Sequence, residues 1–418
     1  MLKKTFILVL TVAMLLSSVA MAEITNRDQQ LLGGVAVSNA NDTFFFAPME
    51  EGATKHWGLY ALSSCSTGTP IVEITNGFPA RLVHADDTHV YFLGYTDENR
   101  TVHTLYSVEI ATGANETLLT NIQSVFVNED DSFLYVSSDD LYTLCSYDIA
   151  ERKAEEIKDM SNSEKTIYDA AYHDGELYFI TRTAQGTENG YQYQTKSGKA
   201  TNLVDPKPAL VNGLLYEGYR IYANDAAGTR IFAVPIGKEN ATQIGAQYAT
   251  TLSSYRFGEA IFVYDATNHA LVRCPLDGSA TQSLPLDGDT LTRLIMGGYK
   301  DEILLYEDGG IYSVAGDLSS QTRLFDFSTS TAGQLWCNIA LAHDGSVLMF
   351  GYGSDTYTFW NSMMPTGVYV YSRTGEQLFG YPVIEEGAEE TADENANPLE
   401  GLGEVVNEPA EDDTFFSF

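Results

Sequence analysis

Basic residues are scarce in this 418-residue chain: 23 Lys and Arg stand against 57 Asp and Glu, for a formal net charge of −34. So acidic a surface repels phosphate backbones, which argues against a nucleic-acid partner. Cysteine is rare as well. Cys65, Cys145, Cys274 and Cys337 show no C-x-x-C spacing, so no zinc site is expected. The apolar segment from Phe6 to Leu16 is too short to favour a bilayer span, and nothing after it keeps apolar residues at helical spacing. Motifs of catalysis are missing too. No G-x-S-x-G elbow accompanies His56, His84, His89, His103, His173, His269 or His343. The D-x-[DN]-x-[DN]-G loop is absent, so the acidic groups Asp86-Asp87, Glu129-Asp130-Asp131 and Asp139-Asp140 read as solvated turns rather than calcium ligands. No metal or other cofactor is expected.

What the chain does have is one phrase repeated eight times between Asp42 and Val383. A β-branched and aromatic run is followed by a polar stretch, a second run, a tight turn and a third run. The period, roughly 40 to 47 residues, suits four short strands with their turns and predicts a β-propeller. Second strands are expected at Phe44-Phe45-Phe46, Val90-Tyr91-Phe92, Leu134-Tyr135-Val136, Leu177-Tyr178-Phe179, Ile221-Tyr222-Ala223, Ile261-Phe262-Val263, Ile303-Leu304-Leu305 and Val347-Leu348-Met349. Third strands are anchored near Tyr60, Tyr106, Cys145, Tyr191, Phe232, Val272, Tyr312 and Tyr369. Gly68, Gly113, Gly198, Gly278 and Gly375 fall at third-to-fourth-strand corners, where a positive φ is needed. The fold class is therefore all-β, a propeller of four-stranded antiparallel blades. Eight blades fit best, with seven or six as alternatives.

Lys3 and Lys4, the apolar segment and Ala20-Met21-Ala22 form the pattern of a cleaved secretory signal. Residues 1–22 are thus expected to be a signal peptide, 23–384 the propeller and 385–418 a tail. That tail holds twelve acidic residues and no basic one, a composition expected to be disordered. A secreted or extracytoplasmic location follows, with no membrane anchor after cleavage. The four thiols map to separate strands of the repeat and are expected to stay unpaired, because a bridge needs Cα atoms within about 7 Å.

Two candidate sites emerge from the repeat map. Loops between second and third strands open on the face where propellers usually hold ligands, and three are long: 50–58, 94–103 and 351–367. The first carries His56 and Trp57, and the last carries Tyr357, Phe359 and Trp360. If the ring closes, blades one and eight become neighbours and these rings form an aromatic rim on which a glycan or protein could stack. Alternatively, they fold down and plug the seam. Arg81, Arg256 and Arg293 fall on segments expected to line the axial channel, where guanidinium groups could hold a small anion or pair with neighbouring carboxylates.

Ile221-Tyr222-Ala223-Asn224-Asp225 and Ile261-Phe262-Val263-Tyr264-Asp265 resemble degenerate forms of the Tyr-Trp-Thr-Asp strand of low-density-lipoprotein-receptor-type propellers. The runs from Leu105 to Gly113 and from Leu271 to Ser279 resemble the strand and turn that complete that repeat. The resemblance implies a bacterial secreted relative of that family, though the Trp is missing from every copy and receptor-type propellers have six blades.

No acid, base and nucleophile set stands out. The chain is therefore expected to be a non-enzymatic binding or scaffolding module that recognises a glycan or protein through the aromatic rim, its oligomeric state open. The alternative is a carbohydrate-active hydrolase or lyase with carboxylates at the channel mouth.

Overall fold

The structure, a computed structural model, describes residues 35–381 except for stretches inside that span, the longest being 97–102, 204–210, 249–253, 287–297, 327–333 and 354–366. The expected signal peptide and acidic tail lie outside the described residues. Eight four-stranded antiparallel sheets follow one another, each built from four consecutive strands in the order of the chain. The protein is an eight-bladed β-propeller.

All eight apolar triplets form second strands, and in every blade a triplet residue lies directly opposite the third-strand anchor. The pairs are Phe45 with Tyr60, Phe92 with Tyr106, Tyr135 with Cys145, and Phe179 with Tyr191. Tyr222 meets Phe232, Val263 meets Val272, Leu305 meets Tyr312, and Met349 meets Tyr369. Three of these positions hold stacked rings, with centroids 5.8, 5.0 and 5.1 Å apart in blades one, two and four. Cross-strand aromatic pairs of this kind are the unit from which a sheet draws its side-chain stabilisation. The corner glycines adopt the backbone their positions demand, with φ of 65° at Gly68, 69° at Gly113, 62° at Gly198, 75° at Gly278 and 86° at Gly375.

Strand parity builds the core between blades rather than within them. In the second strand of blade two (His89–Tyr95), Val90 and Phe92 join a cluster with blade one, including Phe44, Phe46 and Leu59. Tyr91 and Leu93 point the other way and pack with Val125, Val127 and Phe133 of blade three. This second strand is thus apolar on both faces, and each such side chain contributes roughly 1.5–3 kcal/mol when fully buried. The core grows by repetition, as a propeller requires.

Among the described residues no strand is shared between blades eight and one; side-chain packing and a bond from the His343 N–H to the Thr43 hydroxyl join them. Phe45, Ala47 and Tyr60 of blade one pack with Leu348, Phe350, Val368 and Val370 of blade eight. Phe379, on the outer strand of blade eight (Gln377–Tyr381), sets its ring 5.7 Å from Phe45 at 70° and 5.0 Å from Tyr60. Cys65 joins the same cluster from a short 3₁₀ helix (Leu62–Thr67), and burial pushes its thiol up to about 12. Cys145 and Cys274 form no disulfide among the described residues, and Cys145 is only half-buried. Among the described residues, no helix is long and apolar enough to cross a membrane.

Candidate active site

In each blade the first strand begins, the second ends and the third starts on one side of the ring, called the upper face here. In blade two the first strand (Phe78–Ala85) carries Arg81, the second ends at Tyr95 and the third (His103–Glu109) opens with His103. Tyr95 and His103 form the last cross-strand pair of their hairpin. Their rings stand 4.3 Å apart, tilted by 37°.

A β-bulge brings Arg81 to them. Pro79 lies opposite Gly94 and Arg81 opposite Leu93, so the register slips by one residue at Ala80. Since directly opposed residues share a face, the slip turns Arg81 from the blade-one side to the side of Leu93, Tyr95 and His103. That side looks toward blade three, whose inner strand (Ile122–Val127) bonds to His103 through the backbone of Ile122. Arg81, Tyr95 and His103 are all half-buried and sit at the upper end of the junction between blades two and three.

The electrostatics follow from this placement. Burial, then the Arg81 charge, lowers the His103 imidazole from its ordinary range, while the bond to Ile122 pulls the other way. The ring is therefore held toward its neutral form, able to accept a proton at neutral pH. Burial also lowers the Arg81 guanidinium, with Tyr95 opposing; a guanidinium nonetheless keeps its charge in proteins. Among the described residues, no carboxylate stands at ion-pair distance from Arg81. The junction thus combines a fixed cation, an imidazole held toward its neutral form and a phenol.

Blade four carries a second polar group on the same face, but one that neutralises itself. Arg182, at the end of the second strand (Glu176–Arg182), donates to Glu188 at 2.9 Å and lies 4.2 Å from the centre of the Tyr168 ring. Burial, followed by Glu188, pushes the Tyr168 phenol far above its ordinary range. Among the described residues, no group of three or more His, Cys, Asp or Glu is arranged to hold a metal ion.

Of the expected aromatic rim, only His56 and Trp57 lie among the described residues. The segment 50–58 is not a loop: the second strand runs through Glu51 and the third starts at Thr54, so His56 pairs with Met49 and Trp57 with Pro48. Parity then decides direction. Trp57 shares a face with Leu59 and packs half-buried against the cluster joining blades one and two, whereas Tyr60 faces the seam with blade eight. Tyr357, Phe359, Trp360 and Arg293 lie outside the described residues. Arg256 sits on the inner strand of blade six (Ser254–Phe257), opposite Ile261, and its side chain is likewise outside them.

Sequence reasoning named Arg81 but missed Tyr95 and His103. The signal was the placement of an aromatic and an imidazole at the two ends of the 94–103 segment, where a hairpin must pair them.

No protein-family model matches the chain, and no curated protein matches it in sequence. Among solved structures it is similar to an oligogalacturonate lyase from Vibrio parahaemolyticus, at 12% identity over 80% of this chain and 95% of that one, with a TM-score of 0.44. It is also similar to the β-propeller domain of the Trilobed protease from Pyrococcus furiosus, at 10% identity over 74% and 97%, TM-score 0.46. A third is TolB from Acinetobacter baumannii, at 14% identity over 58% and 63%, TM-score 0.35. At such identities the likeness is one of fold. None of the three is a receptor-type propeller, and eight blades replace the six of that family, so the resemblance drawn from the Tyr-Trp-Thr-Asp-like strands reduces to the propeller itself. The expectation of a non-enzymatic module is corrected as well: a lyase and a protease domain stand among the similar folds. That expectation rested on the lack of any clustered polar set in the sequence, whereas Arg81, Tyr95 and His103 come together on this face.

Proposed function

We propose that this protein is a carbohydrate-active lyase that cleaves an acidic glycan on the upper face, at the junction of blades two and three. The observation that carries the reading is a half-buried imidazole, lowered by burial and by Arg81, paired across the strands with Tyr95. β-Elimination next to a sugar carboxylate needs those parts. Arg81 binds the carboxylate and draws charge from the neighbouring C–H bond. Neutral His103 takes that proton. The electron pair forms the new C=C bond, the glycosidic C–O bond breaks, and the Tyr95 hydroxyl protonates the leaving oxygen.

Hydrolysis is served less well by these residues. It uses two facing carboxyl groups, about 5–5.5 Å apart for retention or about 6.5–9.5 Å for inversion, whereas this junction offers a guanidinium, an imidazole and a phenol. The secretory pattern of residues 1–22 supports action outside the cytoplasm, where such glycans are met.

The test is a panel of neutral and acidic polysaccharides incubated with the full chain. Ultraviolet absorbance reports unsaturated ends and a reducing-end assay reports all cleavage. The expected result is absorbance with acidic substrates and none with neutral ones. Reducing ends without absorbance would assign hydrolysis, and no cleavage of any member would reject the reading.

A further inference from the structure

The polar group of blade two does not stand alone on the upper face. His103 is bonded to the backbone of Ile122 in blade three. The preceding residue, Asn121, holds a φ of 55° and donates its amide to Asp139 at 2.9 Å, while its carbonyl accepts from the Ser138 N–H at 2.7 Å. Asp139 is exposed and belongs to the second-to-third-strand hairpin of blade three. That hairpin reaches blade four, where the N–H of Ile167 donates to the carbonyl of Leu141 at 3.0 Å. Two residues earlier stands Lys165. Contacts thus run without interruption from blade two through blade three to blade four, along one face.

Charge along this line is uneven in a way that matters in so acidic a chain. Arg182 is matched by Glu188. Lys165 is not matched by any carboxylate among the described residues: its partners are the side-chain oxygen of Asn189 and the Tyr191 hydroxyl, the latter at 3.0 Å, both neutral. An ammonium has three donors, so two bonds leave one direction unused. Half-buried and charged, it parallels Arg81 two blades away. Between the two cations lies the Asn121–Asp139 pair, an amide and a carboxylate of the kind that hydrogen-bonds sugar hydroxyls.

We propose that these residues form a binding track for an extended acidic chain, with one carboxylate on Arg81, a second on Lys165 and the hydroxyls of an intervening unit on Asn121 and Asp139. The inference rests on the lyase reading and adds that the substrate is an oligomer with repeated negative charge. Recognition is therefore expected to improve with chain length up to the span of the three blades and to weaken with salt.

The probe is a ladder of uronate oligosaccharides of graded length, titrated calorimetrically into the full chain carrying His103→Ala, which keeps ligands intact. A second titration adds Lys165→Met, and circular dichroism verifies the fold of both. Affinity should rise with length, and Lys165→Met should weaken the longer oligomers about tenfold or more while leaving the shortest binder unchanged. Equal affinity at all lengths, or no effect of Lys165→Met, overturns the track. Turnover of the same ladder by the unmodified chain separates the two readings: cleavage with length-independent binding rejects the track alone, and absence of cleavage rejects the lyase reading beneath it.

Discussion

Tyr95 and His103 face each other across the last pair of the blade-two hairpin, ring centroids 4.3 Å apart. The pairing matters because a bulge one strand away turns Arg81 onto the same face. Three residues separated in sequence thereby become one electrostatic unit, in which the charge of Arg81 helps to keep His103 neutral.

That coupling predicts a titration. Followed by NMR, the His103 ring should protonate below the ordinary imidazole value of about 6.5. In Arg81→Met, removal of the neighbouring cation should move the midpoint upward. A midpoint unmoved by Arg81→Met would separate the two residues and leave burial as the sole cause.

The same shift predicts a pH dependence of stability. In the unfolded chain His103 regains an ordinary pKa, so below about 6.5 the unfolded state binds more protons than the native one. Stability should therefore fall as pH drops from 6.5 toward the lowered native value and stay level above it, as far as His103 contributes. Urea denaturation at several pH values, compared with His103→Gln, should show a smaller acid loss in the variant.

At the seam, Phe45 is fully buried against Tyr60 and Phe379. Because no strand among the described residues bridges blades eight and one, Phe45→Ala is expected to cost about 3–5 kcal/mol, the usual range for emptying a buried phenyl site. Thermal unfolding would measure it. A loss under about 1 kcal/mol would mean that the seam is not closed by this cluster.

On the opposite face, Asp86 holds the first corner of blade two. Its carboxylate accepts from the Thr88 and His89 N–H groups, the Thr88 hydroxyl and the Tyr91 hydroxyl, at 2.7–2.8 Å. Burial alone would raise its pKa, but these bonds together hold it below the ordinary value. Asp86→Ala should cost about 1–3 kcal/mol, since the hydroxyl of the buried Tyr91 and the corner amides lose their acceptor. The wild-type advantage over Asp86→Ala should be full above the unfolded carboxylate value of about 3.9 and shrink as pH falls through the lowered native one.

The fold was legible because each blade repeats its own instructions. Triplets such as Val90-Tyr91-Phe92 are apolar on both faces, which suits a strand buried between two neighbours, and glycines such as Gly113 occupy corners where φ is 69°. A side chain added at Gly113 would also run into the carbonyl oxygen of Ile71. The site was less legible because it depends on parity. A strand side chain changes face with every residue, so one unforeseen bulge at Ala80 decides where Arg81 points, and one extended hairpin read as a loop decides where Trp57 points. Neither leaves a mark in composition. His103 illustrates the difference: as one of seven histidines in the chain it carried no signal, and only its partner across the strand gave it a role.

The central claim is tested most directly by the rate at which an acidic polysaccharide gains ultraviolet absorbance with the unmodified protein and with His103→Ala, both shown by circular dichroism to be folded. The account predicts a steady rise with the first and a loss of about 10²-fold or more with the second, the usual contribution of a general base. Equal rates from the two proteins would contradict it.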